Sequence, residues 1–140
     1  MKKVYNKYAK IELPPYKCHL IFIVGDEKYQ GQIQKRVIVV NKIDTFSMSD
    51  VSGCVTPWII KGGGKANVSM QEISLIMPVF DLKDDFYIGV LVHESVHVAK
   101  NVFKYRDITF DPDNDEPFAY LTDHIFRKCL ECVRKWDKRK

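Results

Sequence analysis

Apolar segments in the first half of the chain indicate β-strands. Cys18 to Val24, "CHLIFIV", is apolar and rich in β-branched residues, which is typical of a strand buried in a sheet. Strand character returns in Arg36 to Ile43, in Val55 to Ile60, and in "VSMQEISLIMPVF" at 68–80. The glycines of "KGGGK", Lys61 to Lys65, permit positive φ angles and predict a turn between the last two strands. Together these segments predict a small sheet.

The period changes after residue 80, because apolar residues then recur every three or four positions. "DLKDDFYIGVLVHESVHVAKNVFKY" begins with acids, ends with lysines and contains no proline, so it predicts a helix of about five turns. Asp81 or Asp84 would cap this helix, and Asp85 favours its first turn. Its predicted apolar stripe is Ile88, Leu91, Val92, Val96, Ala99 and Phe103.

A second helical pattern follows the polar connection "RDITFDPDNDEP". "EPFAYLTDHIFRKCLECVRKW" predicts a helix with Asp115 as its N-cap, and Pro117 is compatible with it because a proline is tolerated in the first turn. Its predicted apolar stripe is Phe118, Leu121, Ile125, Cys129 and Cys132 or Val133.

The order of the elements, strands and then two helices, predicts an α+β fold. A chain of 140 residues predicts a single domain, 1–140, in which a small mixed or antiparallel sheet precedes the helix with "HESVH" and a C-terminal helix. Residues 1–10 and 135–140 are expected to be flexible ends. The composition, 46% hydrophobic and 29% charged, is that of a soluble globular protein. No apolar run is long enough to span a membrane and the N-terminus lacks a signal-peptide pattern, so we expect a cytoplasmic protein without a membrane partner.

The cysteines and the basic C-terminus carry weaker signals. Cys129 and Cys132 form a CxxC within the second predicted helix, but Cys18 and Cys54 stand alone, so reduced core thiols are expected rather than disulfides or a zinc site. The tail from Arg134 to Lys140 is basic, although cations at a helix C-terminus also complement the helix dipole. One short basic tail is weak evidence for a nucleic-acid partner, so a nucleic-acid-associated protein is a third and less favoured alternative.

The strongest chemical signal is "HESVH", in which His93 and His97 are four residues apart. On a helix this spacing places both imidazoles on one face, within reach of a single ion. Glu94 lies about 60° around the helix from His97, so its carboxylate can approach a metal-bound water without being a ligand. Two histidines, a third ligand and an open position make a hydrolytic zinc site, in which Glu94 would take the water's proton. The alternative is a pair of half-exposed histidines on an ordinary amphipathic helix.

A third ligand must come from another segment, because Lys100 and Phe103 stand where HExxHxxGxxH requires Gly and His. Glu116, at the start of the second helix, is favoured, and the connection before it is long enough to fold back. In a tight helical hairpin, Asp123 or His124 would instead be level with His97, and both remain alternative ligands. His124 and Tyr120 are also candidates to hydrogen-bond a transition-state oxyanion or contact substrate, while packing is the alternative role for Tyr120.

"HESVH" followed by a polar loop and "DEPFAYLTDHI" resembles small zincin-like metallopeptidases encoded by bacteriophages and prophages, which carry HExxH and then a helix that opens with E-x-x-A-Y-L. The resemblance implies a minimal gluzincin with one zinc ion on His93, His97 and Glu116, and Glu94 as catalytic carboxylate. It also implies a mixed sheet whose edge strand binds an extended peptide, and "EISLIMPVF" is the candidate edge. A phage-encoded protein would act in the host-cell cytoplasm.

The expected function is therefore a zinc-dependent peptidase or amide hydrolase, whose zinc-bound water is activated by Glu94 to attack a peptide carbonyl. Its partner would be a peptide or protein substrate. A catalytically silent, zinc-stabilised binding module that engages a host protein is the alternative. The presence of Glu94 favours the enzyme, since a purely structural zinc site does not need a carboxylate that is not a ligand.

Overall fold

A computed structural model of the chain describes residues 2–37, 54–61 and 68–138. The elements in chain order are β1 (Lys7–Glu12), β2 (Cys18–Val24), α1 (Glu27–Val37), β3 (Cys54–Lys61), β4 (Val68–Met77), α2 (Asp85–Tyr105) and α3 (Glu116–Lys138). The strands form one sheet in the order β1-β2-β4-β3. β2 and β4 pair in parallel, and each outer strand pairs antiparallel with its neighbour. The α+β class and the mixed sheet are confirmed.

The central strand β2 is buried on both faces. Leu20, Phe22 and Val24 belong to the main core, which β2 shares with α2 and α3. Ile21 and Ile23 point to the other face, where they pack with Ile33 of α1 and with Ile76 of β4. Such two-sided burial explains why "CHLIFIV" has no alternation of apolar and polar residues. Helices must therefore cover both faces of the sheet.

Helix α2 begins and ends as its sequence predicts. Asp84 is the N-cap, and its carboxylate accepts a hydrogen bond from the Phe86 amide at 2.9 Å. This bond satisfies one of the amides that the first helical turn leaves free. α2 lies against β3, β4 and α3. It thereby fixes the place of "HESVH" relative to the sheet.

Helices α2 and α3 run antiparallel. At one end, the rings of Phe103 and Phe118 lie 5.3 Å apart in an edge-to-face contact. At the other end, Trp136 stacks on Phe22 at 5.6 Å, and Asp137 accepts hydrogen bonds from Lys3 and Tyr5. The buried residues of α3 are Leu121, Ile125, Cys129, Val133 and Trp136. They confirm most of the predicted stripe, with Val133 buried, while Phe118 and Cys132 are half-buried against the same core.

Several sequence predictions need correction. Arg36 and Val37, expected to begin a strand, complete α1, and the rest of that predicted strand lies outside the described residues. The segment "EISLIMPVF", expected at the edge, belongs mainly to β4, which lies between β2 and β3, so the outer strands of the described sheet are β1 and β3. The expected flexible ends are also partly ordered elements, since residues 7–10 belong to β1 and residues 135–138 to α3.

The predicted apolar stripe of α2 is wrong at two positions, which face solvent rather than the core. Val92 and Val96 are 42% and 41% exposed, whereas the prediction turned them inward. Leu91, Ala99 and Phe103 are buried as expected. The buried set also takes in Tyr87, Glu94, Ser95, Val98 and Val102. The helix is therefore rotated so that its histidines face outward. Within the described ranges, no helix is long and apolar enough to cross a membrane.

We predict that Trp136→Ala lowers the free energy of unfolding by about 3 kcal/mol or more, because it removes a large buried aromatic side chain. Trp136 is only 9% exposed and contacts Phe22 and Tyr5. Urea unfolding followed by circular dichroism measures the change. Lys135→Ala, an exposed neighbour, is the control and should change stability by less than about 0.5 kcal/mol. Equal stabilities for the two variants would contradict the packing of the C-terminal turn.

Candidate active site

The two histidines of "HESVH" lie side by side on the exposed face of α2. Their Nε2 atoms are 3.1 Å apart, and the rings meet edge to face with centroids at 4.8 Å. Two nitrogens that bind one tetrahedral zinc at about 2.05 Å lie about 3.3 Å from each other. The His93 and His97 pair therefore fits two positions of such a site. With one ring donating its proton, the same pair can also form a hydrogen bond.

Two other polar side chains near the histidines, those of Ser95 and Asn101, form hydrogen bonds to backbone carbonyls of α2. Ser95 lies between the two histidines in sequence, and its buried hydroxyl donates a hydrogen bond to the Leu91 carbonyl at 2.7 Å. The Asn101 amide donates to the His97 carbonyl at 2.9 Å. Sequence reasoning missed Asn101, although its position four residues after His97 is the signal for such a contact. Both bonds lie next to the histidine pair and satisfy these polar side chains within the helix.

Glu94 occupies a different environment from its neighbours. Its side chain is only 8% exposed, whereas His93 and His97 are exposed. Each helical residue is rotated by about 100° from the one before it, so Glu94 lies nearly opposite Phe103 on α2. Phe103 contacts Phe118 near the start of α3. Glu94 is therefore on the side of α2 that faces away from the start of α3. No described residue donates a hydrogen bond to its carboxylate. Most of the Glu94 side chain is therefore removed from water, and its carboxylate is free to accept a proton.

The electrostatics of Glu94 follow from this position. Burial raises the pKa of the Glu94 carboxyl above its ordinary value, while the neighbouring His97 and His93 act in the opposite direction. Desolvation disfavours the charged carboxylate, and positive charge nearby favours it. A carboxyl with a raised pKa is better suited to hold a proton during catalysis than an exposed one.

The candidate third ligands stand apart from the histidine pair. Glu116 is exposed at the start of α3, two residues before Phe118. Phe118 contacts Phe103, and Phe103 is six residues, or about 9 Å along the helix, beyond His97. Across the described residues, no group of three or more His, Cys, Asp or Glu side chains is arranged to hold a metal ion.

The remaining candidates make other contacts. Asp123 is exposed and accepts a hydrogen bond from Arg127 at 2.8 Å. His124 turns toward β1, where its Nε2 atom lies 3.2 Å from the Glu12 carbonyl. Tyr120 is 69% exposed. The structure therefore brings together His93, Glu94 and His97, and it does not bring Glu116, Asp123 or His124 into a three-ligand group with them.

The cysteines lie elsewhere in the fold. Cys18 and Cys129 are free and buried, and Cys132 is free and half-buried. Burial raises the pKa of all three thiols, most strongly that of Cys129. A raised pKa keeps a thiol protonated, and a protonated thiol is a poor nucleophile and metal ligand. Cys18 and Cys129 thus take the core role that was predicted, while the side chain of Cys54 lies outside the described residues.

Comparisons with protein families, curated proteins and solved structures find no match for this chain. The resemblance to phage zincin-like peptidases therefore rests on sequence segments, of which "HESVH" and "DEPFAYLTDHI" are the specific ones and "CHLIFIVGD" is a looser one.

We predict that Glu94→Gln stabilises the metal-free protein at neutral pH, because it replaces a buried charge by a neutral amide. Burial raises the pKa of Glu94 in the folded protein above its value in the unfolded chain. As pH rises from the unfolded-state pKa through the folded-state pKa, the wild type therefore loses stability relative to the variant. At lower pH, where Glu94 is protonated in both states, the difference should vanish. Urea unfolding in the presence of a metal chelator, repeated over a range of pH, measures this difference in the free energy of unfolding.

Glu116→Gln is the matched control, since it removes the same charge from an exposed site. It should leave the pH dependence of stability nearly unchanged. A Glu94→Gln variant as stable as wild type at every pH would show that the Glu94 carboxylate is well solvated.

Proposed function

We propose that this protein is a zinc-dependent peptidase of the minimal gluzincin type. The observation that supports it best is the 3.1 Å separation of the His93 and His97 Nε2 atoms, with the shielded Glu94 carboxyl on the next residue. Two neighbouring imidazoles suit a zinc ion, and a carboxylate that bonds no described residue suits a general base. An ordinary amphipathic helix has no need to bury an unpaired glutamate beside two histidines.

Each side chain of the proposed site would have a distinct role. His93 and His97 would hold the zinc ion, and Glu116 is the proposed third ligand on the ground of its place in the sequence, although the described structure does not group it with the histidines. When bound, the ion lowers the pKa of a water molecule and polarises the substrate carbonyl. Glu94 would accept the proton of the attacking water and deliver it to the leaving amine. Its position on α2, beside the histidines but turned inward, supports this role.

The edge strand β3 is the proposed partner for the substrate backbone. It is the last strand in the sheet order, and α2 lies against it. An extended peptide that adds to a sheet edge gains main-chain hydrogen bonds without any requirement for sequence. This assigns to β3 the role that sequence reasoning gave to "EISLIMPVF".

We expect wild-type protein with one equivalent of zinc to cleave members of a mixed peptide library, and Glu94→Gln to retain zinc but lose activity about 100-fold or more. Mass spectrometry of the products and metal analysis after dialysis give the two readouts. Tight zinc binding without cleavage by wild type would instead favour the zinc-stabilised binding module. A failure to retain zinc would reject both functions.

The third ligand can be found from zinc affinity alone. We expect Glu116→Ala to weaken zinc binding at least about tenfold, because it removes a charged ligand. Asp123→Ala and His124→Ala serve as matched controls that should retain the wild-type affinity. Competition with a fluorescent chelator measures the dissociation constants. An affinity loss in one of the control variants, with Glu116→Ala unaffected, would transfer the role to that residue.

A further inference from the structure

We propose that the exposed face of α2 selects peptide substrates that carry an acidic residue on one side of the scissile bond and an apolar residue on the other. This inference rests on the proposed peptidase function and names its substrate class. This surface, the α2 stripe, consists of five exposed residues: Phe86, His93, His97, Lys100 and Lys104.

Helical phase aligns these residues along one line. Phe86 is seven residues before His93 and Lys100 is seven residues after it, and seven residues make about two turns. Lys104 stands in the same relation to His97. The histidine pair therefore lies in the middle of the α2 stripe, with an aromatic side chain toward one end and two cations toward the other.

The two lysines have no electrostatic partner within the chain as far as it is described. Neither Lys100 nor Lys104 forms an ion pair with a described carboxylate. Lys104 is in the last turn of α2, where a cation complements the helix dipole. Lys100 lies one turn earlier, at about 4.5 Å along the axis from His97, and the dipole does not account for it. Two unpaired cations beside the site attract an acidic group.

The opposite end of the α2 stripe is apolar and open. Phe86 is 57% exposed; its ring meets Tyr87 edge to face with centroids 5.2 Å apart, and the rest of the ring is open to solvent. Gly89, one turn before His93, has no atom within 4 Å of the place where a Cβ would stand. A glycine in a helix interior costs about 1 kcal/mol relative to alanine, and no packing in the described structure requires it. The gap leaves room for an apolar side chain between Phe86 and His93.

The dimensions match a short extended peptide. Phe86 and Lys100 are 14 residues apart, about 21 Å along the helix axis. An extended chain advances about 3.3 Å per residue, so about six substrate residues cover this length. The acidic residue would then lie about three residues from the bond at the histidine pair, and the apolar residue would lie about as far away on the other side.

Binding to the zinc-loaded Glu94→Gln protein tests the proposal without turnover. The probes are three fluorescein-labelled peptides of about eight residues: one with leucines first and glutamates last, one in the reverse order, and one with glutamines in place of the glutamates. Fluorescence anisotropy gives the dissociation constants. We expect one order of the acidic peptide to bind about three- to tenfold more tightly than both others, a preference that weakens at high salt.

The preference should disappear when Lys100→Gln and Lys104→Gln are combined in the Glu94→Gln protein. Lys128→Gln with Lys138→Gln removes the same charge from exposed positions of α3 and should leave the preference in place. Equal binding of the three peptides, or equal effects of the two lysine pairs, would overturn the proposal.

Library cleavage by wild type separates this inference from the peptidase function. Cleavage without any acidic preference would overturn the role of the α2 stripe and leave the peptidase proposal intact. Lysine-dependent binding of one peptide order, without cleavage by wild type, would support the stripe as a binding surface and reject hydrolysis.

Discussion

The packing of α2 against the sheet is the interaction on which the candidate site depends. Leu91, Val98 and Val102 are almost fully buried in the main core, so the rotation of the helix about its axis is fixed. Once these residues face the sheet, helical geometry turns His93 and His97 outward and leaves Glu94 at the boundary. The antiparallel contact with α3 holds the helix from a second side.

This arrangement gives neighbouring residues opposite environments. The imidazoles of His93 and His97 are exposed, while the Glu94 residue is only 8% exposed. The burial costs stability, because the charged form of Glu94 is poorly solvated and bonds no described residue. Glu94 thus lowers the stability of the folded protein at the position where the proposed chemistry requires a proton acceptor.

Elements with a strong apolar pattern could be predicted from the sequence, and those with a weak pattern could not. β2 and the two long helices were found because their buried residues are numerous and regularly spaced. α1 was missed because Ile33 is its one fully buried apolar residue within the described part of the helix. Its start carries a signal nonetheless, since Asp26 accepts a hydrogen bond from the Tyr29 amide as an N-cap would. β1 and the residue after it also show an inward set, Ala9, Ile11 and Leu13, in the alternation of a strand.

The sequence by itself determined the α+β class, the main helices and the pairing of His93 and His97 on one helix face, because these depend on residue types and on spacing within one element. Tertiary structure decided which strand lies at the edge, which valines of α2 are exposed and where Glu116, Asp123 and His124 stand relative to the histidines. It also decided that Glu72, an acid in the central strand β4, is buried and paired with Lys10 of β1 at 3.0 Å. Each of these facts depends on contacts between segments distant in sequence, and the pattern within a single segment cannot specify its neighbour.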